Sequence, residues 1–108
     1  MIAIKKGVEP TYLKIYDGTW SKDINYLTIH RLAVSKAVLG ANIAKELILF
    51  AHTLAKKLDI NYIRIDTHED NRFAINLFKS LGYEYKGYIY LADDHVGDKK
   101  RLAYDILL

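Results

Sequence analysis

The sequence predicts an α/β (α+β) domain, a mixed β-sheet with a parallel central strand pair and flanking helices, and three observations predict it. A β-rich run at residues 26–34 precedes a helical stripe over about residues 42–58, and a second β-rich run follows at residues 61–66. A strand, a helix of that length and another strand make a βαβ unit, which wants a parallel pair joined by a right-handed crossover. The remaining third repeats the alternation with a shorter helix, a strand, a charged turn and a last strand. With 108 residues, 51% of them hydrophobic and 27% charged, the chain has material for one core, read as a single domain over residues 1–108.

Residues 2–5 (IAIK) form a short strand candidate, after which Gly7, Pro10, Asp17 and Gly18 punctuate a stretch that reads as loop with a helical turn around Tyr12 to Tyr16. In the run Tyr26 to Val34, one face carries Tyr26, Thr28, His30, Leu32 and Val34, the other Leu27, Ile29, Arg31 and Ala33. Apolar residues on both faces predict a strand covered on both sides. The next segment repeats apolar residues at Ile43, Ala44, Leu47, Ile48, Ala51, Leu54, Ala55 and Leu58, at helical spacing. After residues 61–66, the polar run Thr67 to Asn71 suits a helix start. Phe73, Ala74, Leu77, Phe78 and Leu81 mark its apolar stripe, and Gly82 sits where a C-capping glycine belongs. Residues 83–91 and 101–108 then read as two strands of a hairpin.

Composition excludes several classes. Without cysteine there is no disulfide framework, thiolate metal site or cysteine nucleophile. No apolar run approaches the ~18 residues of a membrane helix, and the N-terminal lysines follow the apolar residues, the reverse of a secretory signal. A cytoplasmic protein without membrane partners is the expectation. The net charge of +3 is scattered along the chain and gives nucleic acid little support as a partner.

The turn before the long helix, Ser35 to Ala44, contains small residues that would let backbone N–H groups crowd around an anion at the helix N-terminus. Gly40 serves equally well as the permissive residue of an ordinary tight turn. The loop lacks the glycines of a dinucleotide fingerprint and the Lys-Ser/Thr pair of a P-loop.

From about Tyr26 to Leu108 the chain resembles the Gcn5-related N-acetyltransferases (GNAT), through several motifs in order. Leu32-Ala33-Val34 is similar to the end of the family's fourth strand, whose backbone binds the pantetheine arm of acetyl-coenzyme A. Leu39, Gly40, Ala41, Asn42, Ile43, Ala44 and Lys45 fall where the family has its pyrophosphate loop. Asn71-Arg72-Phe73-Ala74-Ile75-Asn76-Leu77-Phe78 with Leu81-Gly82-Tyr83 resembles the Asn-x-x-Ala-x-x-Leu-Tyr-x-x-x-Gly-Phe motif, so Asn71, Ala74 and Phe78 join the implied cofactor site. Arg101 to Tyr104 resembles the last-strand ending of bacterial members.

The resemblance implies acetyl transfer from acetyl-coenzyme A, as cosubstrate, to a primary amine by direct attack on the thioester. His30 stands where members often place a carboxylate base and is the candidate base; a packed strand histidine is the alternative. Three departures accompany the match. Leu39 and Asn42 replace signature residues of the loop, and Phe78 replaces a tyrosine that protonates the leaving thiolate in many members. Elements that precede the third strand in the family, two of them helices walling the acceptor site, are missing. These departures favour a second reading, a non-catalytic acyl-coenzyme A binding or interaction module. The sheet edge left open predicts a homodimer or a partner chain that covers it.

Two other clusters have plainer explanations. Asp66, His68 and Asp70 have spacings a metal could use, but helix capping accounts for them and no metal is expected. Tyr83, Tyr85, Tyr88 and Tyr90 could stack on single-stranded nucleic acid, but burial in the sheet or at a dimer contact accounts for them as well.

Overall fold

Period-two alternation in the strands and helical spacing between them sort the apolar residues onto defined faces. The computed structural model describes residues 3–30, 41–92 and 97–108. Five strands, β1 (Ala3–Lys6), β2 (Leu27–His30), β3 (Tyr62–Thr67), β4 (Glu84–Tyr90) and β5 (Lys100–Leu107), form one sheet in the order β1-β2-β3-β5-β4. Only β2 and β3 run parallel; the other neighbours are antiparallel. Helices α1 (Ala41–Lys57) and α2 (Arg72–Ser80) lie where the apolar stripes predict them. The part of the β2 run at residues 31–34 lies outside the described residues.

The register puts Leu27 beside Ile63 and Ile29 between Ile4 and Ile65, with Tyr104 next to Ile65. Against this face α1 buries Ala44, Ile48, Ala51 and Ala55, and α2 buries Ala74, Leu77 and Phe78. Ile48 is wholly buried, and a side chain of that size contributes about 1.5–3 kcal/mol by leaving water. Small alanines at the other α1 positions let the helix approach the sheet. Gly82, at φ +96°, ends α2 as predicted. On the outer side of α1, Nε2 of His52 meets the Tyr83 hydroxyl at 2.8 Å. Burial first, and Lys56 second, lower the His52 pKa, so the neutral ring accepts from the tyrosine.

The opposite face is aromatic. Tyr12, Tyr26, Tyr62, Ile89 and Ala103 are buried there, with Ile15 and Trp20 packed against them. The helical turn is a 3₁₀ turn at Pro10–Tyr12, earlier than the expected Tyr12 to Tyr16, because Pro10 presets the first helical φ. The chain then runs on to the outer edge of β4, where Tyr16 and Tyr88 exchange backbone hydrogen bonds of 2.9 and 3.0 Å and their rings stack. A Cβ at Gly87 would collide with the Tyr16 carbonyl, which fixes glycine at this β4 bulge. Of the tyrosines in this region, Tyr83 is buried, while Tyr85 and Tyr90 remain about half exposed.

Charge is buried on this face and satisfied. The Asp105 carboxylate accepts from the Ser21 N–H and hydroxyl at 2.8 Å each and from the Tyr62 hydroxyl at 2.6 Å. Arg64, opposite Asp105 in the ladder, donates to the Lys22 carbonyl at 2.7 Å and lies over the Tyr26 and Trp20 rings. These bonds hold residues 20–22 on the sheet. Thr28 is different: it is fully buried, and its Oγ1 has no hydrogen-bond partner among the described residues. Such a group costs about 1–3 kcal/mol, so Thr28→Val, which keeps the branched shape, is expected to stabilise the fold by about 1 kcal/mol in urea denaturation.

Candidate functional site

Among the described residues, β2 pairs with β3 through Ile29–Ile65, and β3 pairs with β5 on to Asp66–Ala103 and Thr67–Leu102. A cleft of about 490 Å³ occupies this end of the sheet. His30 and Asp66 line it from the strands, His68 and Asn71 from the turn after β3, Ala74 and Phe78 from α2, and Arg101 from β5. Asn71 is the N-cap of α2: its Oδ1 accepts the Ala74 N–H at 3.1 Å. The cap fixes the start of the helix and thereby the face that turns Ala74 and Phe78 toward the cleft.

One end of the cleft is ionisable. Asp66 accepts a 2.5 Å hydrogen bond from the Tyr12 hydroxyl. Burial raises the Asp66 pKa and outweighs the lowering by Tyr12, His30 and Arg101. Burial, with Asp66 second, holds Tyr12 well above its usual value, so the phenol stays protonated as a donor. Glu9 Oε1 lies 3.5 Å from Nε2 of His30, and Glu9 Oε2 lies 3.0 Å from Lys5 Nζ. At the mouth, His68 Nδ1 accepts the Asp70 N–H at 3.0 Å and Nε2 meets Asp98 at 2.8 Å. The Lys100 N–H and then His68 lower the Asp98 pKa. Among the described residues, no three His, Cys, Asp or Glu side chains are grouped to hold a metal ion.

Four of the residues selected from sequence, His30, Asn71, Ala74 and Phe78, thus line one cleft. Leu32, Ala33, Val34, Leu39 and Gly40 lie outside the described residues, and Ala41 and Asn42 open α1. The Ala44 side chain is buried in the core, while Ile43 and Lys45 are exposed, so none of the three presents a side chain to the cleft. Asn71 provides the predicted helix cap, whereas Asp66 is tied to Tyr12 instead. The sequence reading missed Glu9 and Tyr12 as neighbours of the cleft. Pro10 was the available signal, since a proline one residue after Glu9 presets a turn. Nothing local connects Tyr12 to Asp66, 54 residues away.

The family model for the acetyltransferase (GNAT) family matches residues 11–83. Among solved structures, a GNAT-family acetyltransferase from Streptococcus agalactiae 2603 is 34% identical with a TM-score of 0.80, over 99% of this chain and 57% of that one. The chain thus spans less than two thirds of that protein's length. An acetyltransferase from Bacillus subtilis in complex with CoA has a TM-score of 0.62 at 15% identity, over 100% of this chain and 99% of that one. The ribosomal-protein-S18-alanine N-acetyltransferase from Escherichia coli has 0.61 at 14%, over 99% and 94%. The last two show likeness of fold. No curated protein matches.

Because folding raises the Asp66 pKa, the charged carboxylate costs stability at neutral pH, and this cost fades as pH falls through the folded-state value toward 3.8. Asp66→Asn keeps an acceptor for Tyr12 and removes the buried charge. Its melting temperature is expected to exceed that of the parent by a few degrees at about pH 7, with the gap closing toward about pH 4; scanning calorimetry across that range checks it.

Proposed function

The chain belongs to the acetyltransferase (GNAT) family, and we propose that its cleft takes acetyl-coenzyme A and supports transfer of the acetyl group to a primary amine. The observation that carries the reading is the cleft at the carboxyl ends of the parallel strands β2 and β3, lined by His30 and Asp66. An extended amide chain such as pantetheine can lie there against strand backbone as an added strand would. Asn71, Ala74 and Phe78 form the wall opposite. The first-turn N–H groups of α1 have no intrahelical acceptors, so that helix end, with Leu39 and Gly40 before it in sequence, suits the pyrophosphate.

Bound there, the thioester supplies an activated acetyl group. Leu32 to Val34 continue β2 in sequence, and their backbone aligns the thioester and polarises its carbonyl. His30, at the end of β2 in the cleft, takes the proton from the acceptor ammonium so that the amine lone pair can attack. Phe78 has no proton to give. The second reading, a binding module without turnover, is favoured by Phe78 and by the replacements Leu39 and Asn42.

The acceptor side is completed by a second copy of the chain. Among the described residues β1 is one edge of the sheet, and an open edge is a template for another strand. Light scattering at about 100 μM, ten times a dissociation constant of about 10 μM or −7 kcal/mol, is expected to give a dimer mass; a monomer mass contradicts this part of the reading.

Acetyl-coenzyme A at about 1 mM, with a dissociation constant near 10 μM, stabilises the fold by about 2.7 kcal/mol, a rise of roughly 10 °C in melting temperature for a domain of this size. His30→Ala is expected to keep that shift and to lower acetylation of a small amine panel about 10²-fold. A shift without turnover in the parent chain selects the binding module. No shift, in a chain that melts cooperatively, refutes both readings.

A further inference from the structure

Glu9 is near His30 but is not part of the cleft lining, and both its backbone and its carboxylate are engaged. Its N–H donates to the Tyr26 hydroxyl at 2.9 Å, and its carbonyl accepts the Tyr12 N–H at 2.9 Å as the 3₁₀ turn begins. Its side chain is only 13% exposed, with one carboxylate oxygen 3.0 Å from Lys5 Nζ and the other 3.5 Å from Nε2 of His30. Lys5 is paired with Thr28 and Ala3 with His30 in the β1–β2 ladder, so the carboxylate bridges residues on two adjacent strands. Asp66, on the far strand, is already engaged by Tyr12.

We propose that Glu9 is the positioning residue of this site: its carboxylate, 3.5 Å from Nε2 of His30, at ion-pair distance and without a hydrogen bond to the ring among those observed, favours the tautomer protonated at Nε2 and leaves the Nδ1 lone pair to accept the acceptor's proton. This inference rests on the acetyl-transfer reading for its catalytic part and on geometry alone for the tautomer. A neutral imidazole carries one N–H, and an acceptor fixed at one nitrogen decides which lone pair remains. An imidazole free to exchange tautomers spends part of its time unable to take the proton, and it also loses its fixed ring orientation. Lys5 anchors the outer oxygen and keeps the inner one on the ring.

The test is long-range ¹H–¹⁵N correlation of the His30 ring at about pH 8.5, two units above the ordinary imidazole pKa of about 6.5, with the His30 signal assigned by its loss in His30→Gln. The parent chain is expected to show the lone pair on Nδ1. Glu9→Gln retains an acceptor and should keep that tautomer, whereas Glu9→Ala should give a mixture. In turnover, Glu9→Ala should lower kcat about 10-fold with KM for acetyl-coenzyme A unchanged, and Glu9→Gln should recover most of that loss. A parent ring with its lone pair on Nε2, or a tautomer indifferent to Glu9→Ala, overturns the proposal. The Nδ1 lone pair in a chain without turnover upholds the orientation and refutes the acetyl-transfer reading.

Discussion

The site depends on the one parallel strand pair among the described residues. β2 and β3 run side by side through Leu27–Ile63, Thr28–Arg64 and Ile29–Ile65, so their carboxyl ends lie together and bring His30 and Asp66 to the cleft. Parallel pairing requires a crossover, and α1 supplies it by packing Ala44, Ile48, Ala51 and Ala55 on the sheet. The crossover ties β2 and β3 together at their shared core pairs, Leu27–Ile63 and Ile29–Ile65, and the cleft sits at the ends of the same two strands. Its hydrophobic wall is the same layer of α2 side chains that stabilises the fold, which is why Phe78 can be 2% exposed and still line the cleft.

The segment before β2 does more than lead into it. Residues 9–22 lie across the aromatic face, where Tyr12, Trp20 and Ser21 are tied to Asp66, the Tyr12 carbonyl and Asp105. The ties bring a glutamate, a phenol and an aspartate close to a histidine at one end of the cleft. Buried charge is costly unless satisfied, and the two aspartates meet this differently. Asp105 has three donors, whereas burial raises the pKa of Asp66, which has one strong donor. Carboxylates with a pKa raised by burial beside a cleft are found at functional sites as well as in structural networks, and Asp66, which also anchors Tyr12, stands in both places.

Most of the fold was legible because its signals are local and periodic. The α1 stripe, the α2 stripe with Gly82 and the β-rich runs at residues 26–34 and 61–66 each carry their meaning within a window of about six to seventeen residues. The place of β5 between β3 and β4 was not legible, since a hairpin reading fixes only one of its two neighbours. Half of the site had the same local quality: Asn71, Ala74 and Phe78 share one helix face, and His30 ends a strand. Glu9 and Tyr12 did not, because their contacts with His30 and Asp66 cross 21 and 54 positions and follow from how a loop folds back. The single proline that shapes this loop indicated a turn without indicating what the turn would touch.

Phe78 bears on whether the cleft can turn over, because a phenyl ring has no proton to give. Its ring packs against Tyr83 and Tyr104 at 5.8 and 5.6 Å between centroids, so the residue is held as core whatever its chemistry. Losing a proton donor at that position costs about 10²–10⁴-fold where the donor assists bond cleavage. A thiol, however, has an ordinary pKa of about 8.5, far below that of an alcohol, and its anion departs without full protonation. The harder proton transfer in amine acetylation is the removal from the attacking ammonium, since no attack occurs until a nitrogen lone pair is free. On the proposed reading, in which His30 is the base, a site with a base and no acid is slowed at the easier of the two steps. That reading places the decisive step at the His30 end of the cleft more than at the Phe78 wall.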